Sequence, residues 1–289
     1  CDCIDNDCDG FIDESFKDNQ GLYSSVENCG GCGISCLALG VPQSNAECLP
    51  TLPVPSCSYT CQGGWIDVDG LSDNGCECFP EDGPDIAADG VDSNCDSVDG
   101  DASLAVFVAK DGNDLAPGTQ SEPMLTLTAA IERAFSEGKP DVYVATGVYS
   151  ESIELTDGVS VFGGFSSGFQ SHDPLLFETA LVGVPPTAGF PATVGCDAIG
   201  QGLTEKPTII DGFTILGPVA ANQMGSNSYG VYLRDCGSLV QVRSNRILAG
   251  PGGNGASGTS GSDGSDGGAG GAGGAGGAGG AGGGGAGGH

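Results

Sequence analysis

The middle of the chain alternates short apolar runs with polar turns, which is typical of β-structure. The first run covers residues 104–108, and eight more follow before residue 249, separated by turns rich in Gly, Asp and Asn. Apolar residues recur with period two inside these runs, as in strands that bury alternate side chains. We therefore predict a stack of short strands around a solenoid core. The eight later strands are predicted at 142–144, 153–155, 159–162, 208–210, 213–216, 230–233, 239–242 and 247–248.

One segment between the first two strands has helical spacing instead. Its apolar residues recur three and four positions apart, which predicts an amphipathic helix. Thr126 or Thr128 can cap its start, and Gly138 with Pro140 ends it. The residues predicted on its apolar face are Leu127, Ala130, Ile131, Ala134 and Phe135.

Residues 166–207 show no regular strand pattern, and we predict a long loop there. The loop carries Cys196, and Cys236 is the other cysteine of the segment 102–249. A disulfide between these two cysteines would pin the loop to the stack of strands. The alternative is that each is free or pairs elsewhere.

Composition divides the chain into three parts. Residues 1–101 hold 12 of the 14 cysteines, and their 21 acidic residues face one basic residue, Lys17. Residues 102–249 have the composition of an ordinary β-domain. Residues 250–289 contain 23 glycines out of 40 residues. We predict a disulfide-stapled, irregular head at 1–101, a β-domain at 102–249 and a low-complexity tail at 250–289.

The cysteines of the head favour disulfides over a metal–thiolate site. A head with few large apolar residues needs covalent or metal staples. The spacing of Cys29, Cys32 and Cys36 could hold zinc or an iron–sulfur cluster, but no His lies nearby. Cys57 and Cys61 lack the spacing of a second metal knuckle. Disulfides imply an oxidising compartment, and their pairing is left open.

The first acidic motif of the head has the spacing of a calcium loop. Ca²⁺ takes about six to eight oxygen ligands, and alternate Asp residues in a tight loop supply several of them. Gly10 permits the turn, and Phe16 stands where an EF-hand has its last Glu, so no EF-hand helices are expected. The alternative is a solvated acidic turn. The predicted ligands are Asp5, Asp7, Asp9, the carbonyl of Phe11, and Asp13 or Glu14.

Two further acidic turns follow in the head. A second copy of the motif near the end of the head predicts Asp92, Asn94, Asp96 and Asp99 as ligands. A third, weaker turn predicts Asp67 and Asp69. We therefore expect Ca²⁺ as the cofactor of the head.

These strings carry a family resemblance. CDCIDNDCDGFIDE, NCGGCGISC, GGWIDVDGLSDNGCE and DGVDSNCDSVDGD resemble the Cys/Asp-rich "putative metal-binding motif" modules of secreted and cell-surface bacterial proteins. The resemblance covers residues 1–101 and implies an extracellular module, without implying a catalytic activity. Cys3, Ala88 and Ser97 depart from the family pattern, which leaves the disulfide pattern open and weakens the second metal site.

The β-domain carries a second resemblance. Residues 110–134 and 142–165 resemble the N-terminal part of secreted right-handed parallel β-helix proteins of the pectate-lyase-like superfamily. This implies that the helix plugs the N-terminal end of the stack. The superfamily includes polysaccharide lyases and hydrolases, which need carboxylates and bases that meet on neighbouring strands. The candidates match no enzyme motif, so we expect no enzyme; they are Asp211, Asp235, Arg234, Arg243 and Arg246.

The tail has a strict three-residue period. Every third residue from Gly252 to Gly288 is Gly, thirteen times in succession. Three residues per turn match a left-handed extended helix, and Pro251 alone is too little proline for collagen. We predict a polyglycine-II-like helix that pairs with neighbouring subunits or with further chain. The alternative is a flexible linker.

Charge and composition argue against two classes of function. The net charge of −30 argues against a nucleic-acid partner, and no apolar run of about 18 residues predicts a membrane span. The chain opens inside a Cys/Asp motif, so we expect part of a longer secreted protein.

We predict an extracellular structural or adhesive protein of the bacterial surface, a self-assembling fibre subunit or homo-oligomer. The alternatives are a glycan-binding module, for which Tyr229 and Tyr232 are the candidate residues, and a polysaccharide lyase or hydrolase. Transition-metal handling is a further alternative, although soft ligands are scarce.

Overall fold

The computed structural model describes most of the chain. It covers residues 1–185 except Cys3 and Asn6, then 192–199, 206–220 and 226–255, and several tail residues as far as Gly273. Residues 1–255 form one compact unit, and residues 256–289 are a second unit. In the described part of 257–273 no residue belongs to a helix or strand. The glycine-helix prediction beyond Gly273 lies outside the described residues.

Within its described residues, the head contains two small antiparallel strand pairs and five disulfides. Strands β1 (Ser24–Ser25) and β2 (Asn28–Cys29) pair, as do β3 (Ser44–Leu49) and β4 (Ser56–Cys61). Short 3-10 helices cover Glu14–Phe16, Cys36–Leu39 and Ala102–Leu104. The bonds join Cys1–Cys32, Cys29–Cys48, Cys36–Cys57, Cys61–Cys76 and Cys78–Cys95. Cys8 is an exposed thiol with no disulfide to a described residue, and Cys3 lies outside the described residues.

The rest of the compact unit is a parallel β-solenoid of about four turns, which confirms the predicted fold class. Three parallel sheets grow by one strand with each turn. The first sheet contains β5 (Ala105–Val108), β6 (Asp141–Ala145), β9 (Ser160–Phe165), β12 (Thr208–Asp211) and β15 (Val240–Arg243). The second contains β7 (Gly147–Tyr149), β10 (Thr179–Val182), β13 (Phe213–Leu216) and β16 (Arg246–Leu248). The third contains β8 (Ile153–Glu154), β11 (Ala192–Asp197) and β14 (Tyr229–Arg234).

Helix α1 (Leu127–Glu137) packs on the first coil. The Thr126 hydroxyl accepts a hydrogen bond from the Ala129 N–H, and Gly138 ends the helix with φ 70°, as the sequence predicts. The Glu151 carboxylate also accepts the N–H groups of Leu127 and Thr128, which supplies partners to the exposed start of the helix. Phe135 was expected on the buried face, but it is 61% exposed because it lies beside the stripe that contacts the solenoid.

The predicted long loop at 166–207 is wrong, because the segment contributes strands β10 and β11 to two of the sheets. The apolar pattern is interrupted here because threonine occupies an inward position of β10, at Thr179, and a buried position of β11, at Thr193, on the face opposite Val194. The buried Thr179 hydroxyl accepts the Gly164 N–H at 2.9 Å, and the Thr193 hydroxyl donates to the Leu216 carbonyl. Internal hydrogen bonds therefore replace apolar contacts at these positions.

Strands β5, β6, β9 and β12 of the first sheet are buried on both faces. Their inward side chains join α1 in the main core, while their outward side chains form a second cluster that includes Phe107, Tyr143 and Phe165. Val98 of the head is fully buried in that second cluster. The end of the head therefore covers the outer face of the first sheet, and head and solenoid share a core.

Candidate functional site

The first acidic loop brings three predicted ligands together. Asp5, Asp7 and Asp9 each place a carboxylate oxygen within 4.8 Å of the other two. The same side chains accept backbone N–H groups of the loop, including that of Gly10 at 2.9 Å from Asp5 Oδ2. Gly10 has φ 97°, a conformation that favours glycine. The other oxygen of Asp5 is buried and accepts no hydrogen bond within the described residues. These hard oxygens fit Ca²⁺.

Asp13 does not close this shell, contrary to prediction. Its carboxylate is buried and accepts the Asp2 N–H at 3.1 Å and the Tyr23 hydroxyl at 3.2 Å. A positive φ of 52° at Asp13 turns the chain at this point. Asp13 therefore supports the start of the head, next to the Cys1–Cys32 disulfide. Glu14 lies exposed in the first 3-10 helix, and the exposed Phe11 donates its N–H to Asp9.

The third acidic turn is better formed than the sequence predicts. Asp67, Asp69 and Glu77 place carboxylate oxygens within 4.8 Å of one another. Glu77 was missed as a ligand because it lies eight residues beyond Asp69. An antiparallel bridge between Ile66 and Cys78 brings it beside Asp67. Hydrogen bonds from the Leu71 N–H and the Asn74 amide hold the pKa of Asp69 below its usual value.

In the second copy of the motif, the side chains accept hydrogen bonds from backbone N–H groups instead of grouping together. The Asp96 N–H donates to Asp92 at 3.1 Å and to Asn94 at 2.9 Å, and Asp96 in turn accepts the Ala102 N–H. Asp99 does not join them, contrary to prediction. It accepts the N–H groups of Asp89 and Gly90 and lies against His172 of the solenoid. Burial raises the pKa of Asp99. This copy therefore fastens the head to the solenoid.

Three of the five polar residues considered for catalysis, Asp211, Arg234 and Arg243, form ion pairs between successive coils. Of the other two, Arg246 is exposed at the start of β16 and Asp235 follows β14. Asp211 and Arg243 are register partners, with Oδ2 and Nε 2.7 Å apart. Asp197 and Arg234 are register partners in the third sheet and form a second pair. Each pair joins neighbouring strands on the solenoid surface, so these side chains contribute to the cohesion of the stack.

A disulfide joins Cys196 to Cys236. Cys196 lies in β11, and Cys236 follows β14, the next strand of the same sheet. The bond therefore links two successive coils, whereas the sequence predicts that it pins a loop. Cys196 is buried in the main core and Cys236 packs against it.

Fold and site together define a parallel β-solenoid protein with a disulfide-rich, acidic head. The chain belongs to the family described as "Protein of unknown function (DUF1565)", whose sequence profile matches residues 110–268. The matched region begins directly after β5 and includes α1 and the later solenoid strands. No curated protein and no solved structure matches the chain. Within the described residues, no helix has the length and apolar character needed to cross a membrane.

Proposed function

We propose that the protein is a structural component of the bacterial cell exterior that associates with copies of itself through the last coil of the solenoid. The observation that carries this proposal is the difference between the two ends of the stack. Helix α1 covers the first coil, whereas β14, β15 and β16 are edge strands within the described residues. Ile247 and Leu248 of the last coil are 45% and 40% exposed. Unpaired strand edges and exposed apolar side chains favour association.

Charge also favours contact at this end. Copies of a chain with net charge −30 repel one another over most of their surface. The last coil, residues 229–249, holds three of the eight basic residues and a single acidic one. Repulsion between copies is therefore weakest where the apolar edge is exposed. The three arginines are Arg234, Arg243 and Arg246.

Calcium has a supporting role in this proposal. The groups Asp5–Asp7–Asp9 and Asp67–Asp69–Glu77 would hold Ca²⁺ through their carboxylate oxygens. The ion would remove the repulsion within each group and join segments of a head that has little apolar core. Six disulfides indicate an oxidising environment, which supports an extracellular location.

Sedimentation velocity over a range of protein concentrations tests the association. We expect the wild-type chain to form dimers or larger assemblies, and Ile247→Glu to prevent them. Val148→Glu is the matched control, because Val148 is an exposed β-branched side chain of a strand in the first coil. A wild-type chain that stays monomeric at every concentration would refute the proposal, as would equal association by the wild type and Ile247→Glu.

A second candidate function is glycan binding on the third sheet. Tyr229 and Tyr232, the candidates from the sequence, have ring centroids 5.3 Å apart on β14. Adjacent aromatic rings are suited to stacking against a sugar. A glycan array probed with the wild type and with Tyr232→Ala tests this candidate function. Glycan binding predicts that the wild type gives hits and that the variant loses them.

A further inference from the structure

The head contains a cleft that neither the calcium groups nor the association surface explains. It has a volume of about 590 Å³ and lies between the third acidic turn and the end of the head, with Gln170 of the solenoid on its wall. We call it the head cleft. Its wall combines two aromatic rings with four carboxyl side chains, Asp69, Glu77, Glu81 and Asp92.

The aromatic part of the wall consists of Trp65 and Phe79. Their ring centroids are 5.7 Å apart, with the planes tilted by 59°. Phe79 is 50% exposed, although it has an aromatic neighbour. Gly64 leaves room for the ring, since a Cβ at that position would lie 3.1 Å from Phe79 Cε2. The ring pair thus offers an apolar, electron-rich surface to whatever occupies the cleft.

The charged side chains that line the head cleft are all acidic among the described residues. No Lys, Arg or His is among the described residues that line it. Asp92 accepts the N–H groups of Asp96 and Ser97, whereas the Glu81 carboxylate accepts no such N–H group from the described residues of the head. A negative cleft with aromatic walls attracts a cation that also has an apolar surface.

We propose that the head cleft binds an organic ammonium group, with its alkyl part on Trp65 and Phe79 and its charge towards Glu81. A hydrated inorganic cation could use the carboxylates but not the rings. A neutral sugar could use the rings but would gain nothing from the net negative charge. An alkylammonium group uses both, and cation–π contact with Trp is the most favourable of its kind. This proposal goes beyond the structural function, which depends on the last coil of the solenoid.

The cleft adjoins one calcium group, and this relation affects the design of the test. Asp69 and Glu77 belong both to the cleft wall and to the Asp67–Asp69–Glu77 group. Calcium there would reduce the negative charge of the wall. The titrations are therefore made in chelator at constant ionic strength and then repeated in calcium, where we expect weaker ammonium binding.

Trp65 is the only tryptophan of the chain, so intrinsic fluorescence reports on the cleft directly. The probes are choline and its uncharged carbon isostere, 3,3-dimethylbutan-1-ol. We expect a saturable fluorescence change with choline alone. Glu81→Gln and Phe79→Leu should each weaken binding by about two- to tenfold. Glu132→Gln, which removes a charge from an exposed position of α1, should leave it unchanged.

A second set of titrations distinguishes the source of the ammonium group. Tighter binding of a short lysine peptide than of its acetylated form would assign the cleft to a partner's lysine, and tighter binding of choline would assign it to a free amine. Equal responses to choline and its isostere would overturn the proposal, as would the absence of any saturable change. A response to neutral monosaccharides in place of choline would also overturn it. Unchanged circular dichroism and melting of the variants exclude misfolding as the cause of lost binding.

Discussion

His172 of the solenoid and Asp99 of the head form a buried pair, with Nδ1 and Oδ2 3.4 Å apart. Their side chains are 7% and 6% exposed. The other ring nitrogen of His172 lies 2.9 Å from the Gly163 carbonyl oxygen, so both nitrogens face oxygen atoms. The ring also packs against Phe165, with centroids 4.8 Å apart. The pair therefore joins the second acidic loop to the outer face of the first sheet.

Replacing His172 by Ala should destabilise the protein. The change leaves the buried Asp99 carboxylate without its solenoid partner, which we expect to lower the free energy of unfolding by about 3 kcal/mol. Urea unfolding measures it. Arg133→Ala breaks the exposed Arg133–Glu137 pair on α1 and should cost less than about 0.5 kcal/mol. Equal losses in the two variants would mean that the buried pair has no special role.

Asp141 should make stability fall with rising pH. Burial raises the pKa of Asp141 to about 6, with Lys206 opposing the increase and Asp101 adding to it. A folded-state pKa above the unfolded value of about 4 means that the native state binds more protons between the two values. The stabilising effect of this proton is therefore complete below about pH 4 and is lost as the pH rises through about 6.

The variant Asp141→Asn should remove this dependence. We expect it to exceed the wild type in unfolding free energy by about 1–3 kcal/mol at neutral pH and to match it near pH 4. Urea unfolding at a series of pH values checks this. Glu132→Gln makes the same change in net charge at an exposed position and should follow the wild type. A constant difference between wild type and Asp141→Asn at all pH values would contradict the assigned shift.

Removing the Cys196–Cys236 disulfide should loosen the last coil. Replacing both cysteines with serine should lower the free energy of unfolding by about 2–5 kcal/mol. Hydrogen exchange should show the largest loss of protection in β14, which has few buried side chains of its own. Serine at Cys61 and Cys76 is the comparison, because that bond lies in the head. Unchanged protection of β14 after loss of the Cys196–Cys236 bond would show that packing alone holds the coil.

Gly100 should be required at the junction of head and solenoid. A Cβ at Gly100 would meet the hydroxyl of the fully buried Tyr143, and φ there is 113°. We expect Gly100→Ala to cost about 2–4 kcal/mol through overpacking and backbone strain. Gly90→Ala introduces the backbone strain without the overpacking, because a Cβ at Gly90 would have no atom within 4 Å. We expect it to lower the free energy of unfolding by about 1 kcal/mol. Similar melting temperatures for the two variants would be inconsistent with tight packing at Tyr143.

Local sequence patterns predict the structure well where a single segment of the chain determines it. The spacing of Leu127, Ala130, Ile131 and Ala134 predicts α1, and its Thr126 and Gly138 caps follow from local chemistry. Strands β10 and β11 escape prediction because buried Thr179 and Thr193 interrupt the apolar pattern, and their hydrogen-bond partners lie in other strands, β9 and β13.

The site is harder to predict than the fold. The even spacing of Asp5, Asp7 and Asp9 predicts their grouping, because one tight loop holds all three. The grouping of Glu77 with Asp67 and Asp69 and the pairing of His172 with Asp99 depend on contacts between segments that are separated in the sequence, and local spacing does not show these contacts.

Calcium binding by the acidic loops is the central claim about the candidate site, and thermal unfolding in calcium and in chelator tests it most directly. We expect calcium at about 100 times its dissociation constant to add about 2.7 kcal/mol per site, and magnesium at the same concentration to add less. Asp7→Asn should reduce the calcium effect, whereas Asp73→Asn, an exposed acidic residue outside both groups, should retain it. Identical melting curves in calcium and in chelator would contradict the claim.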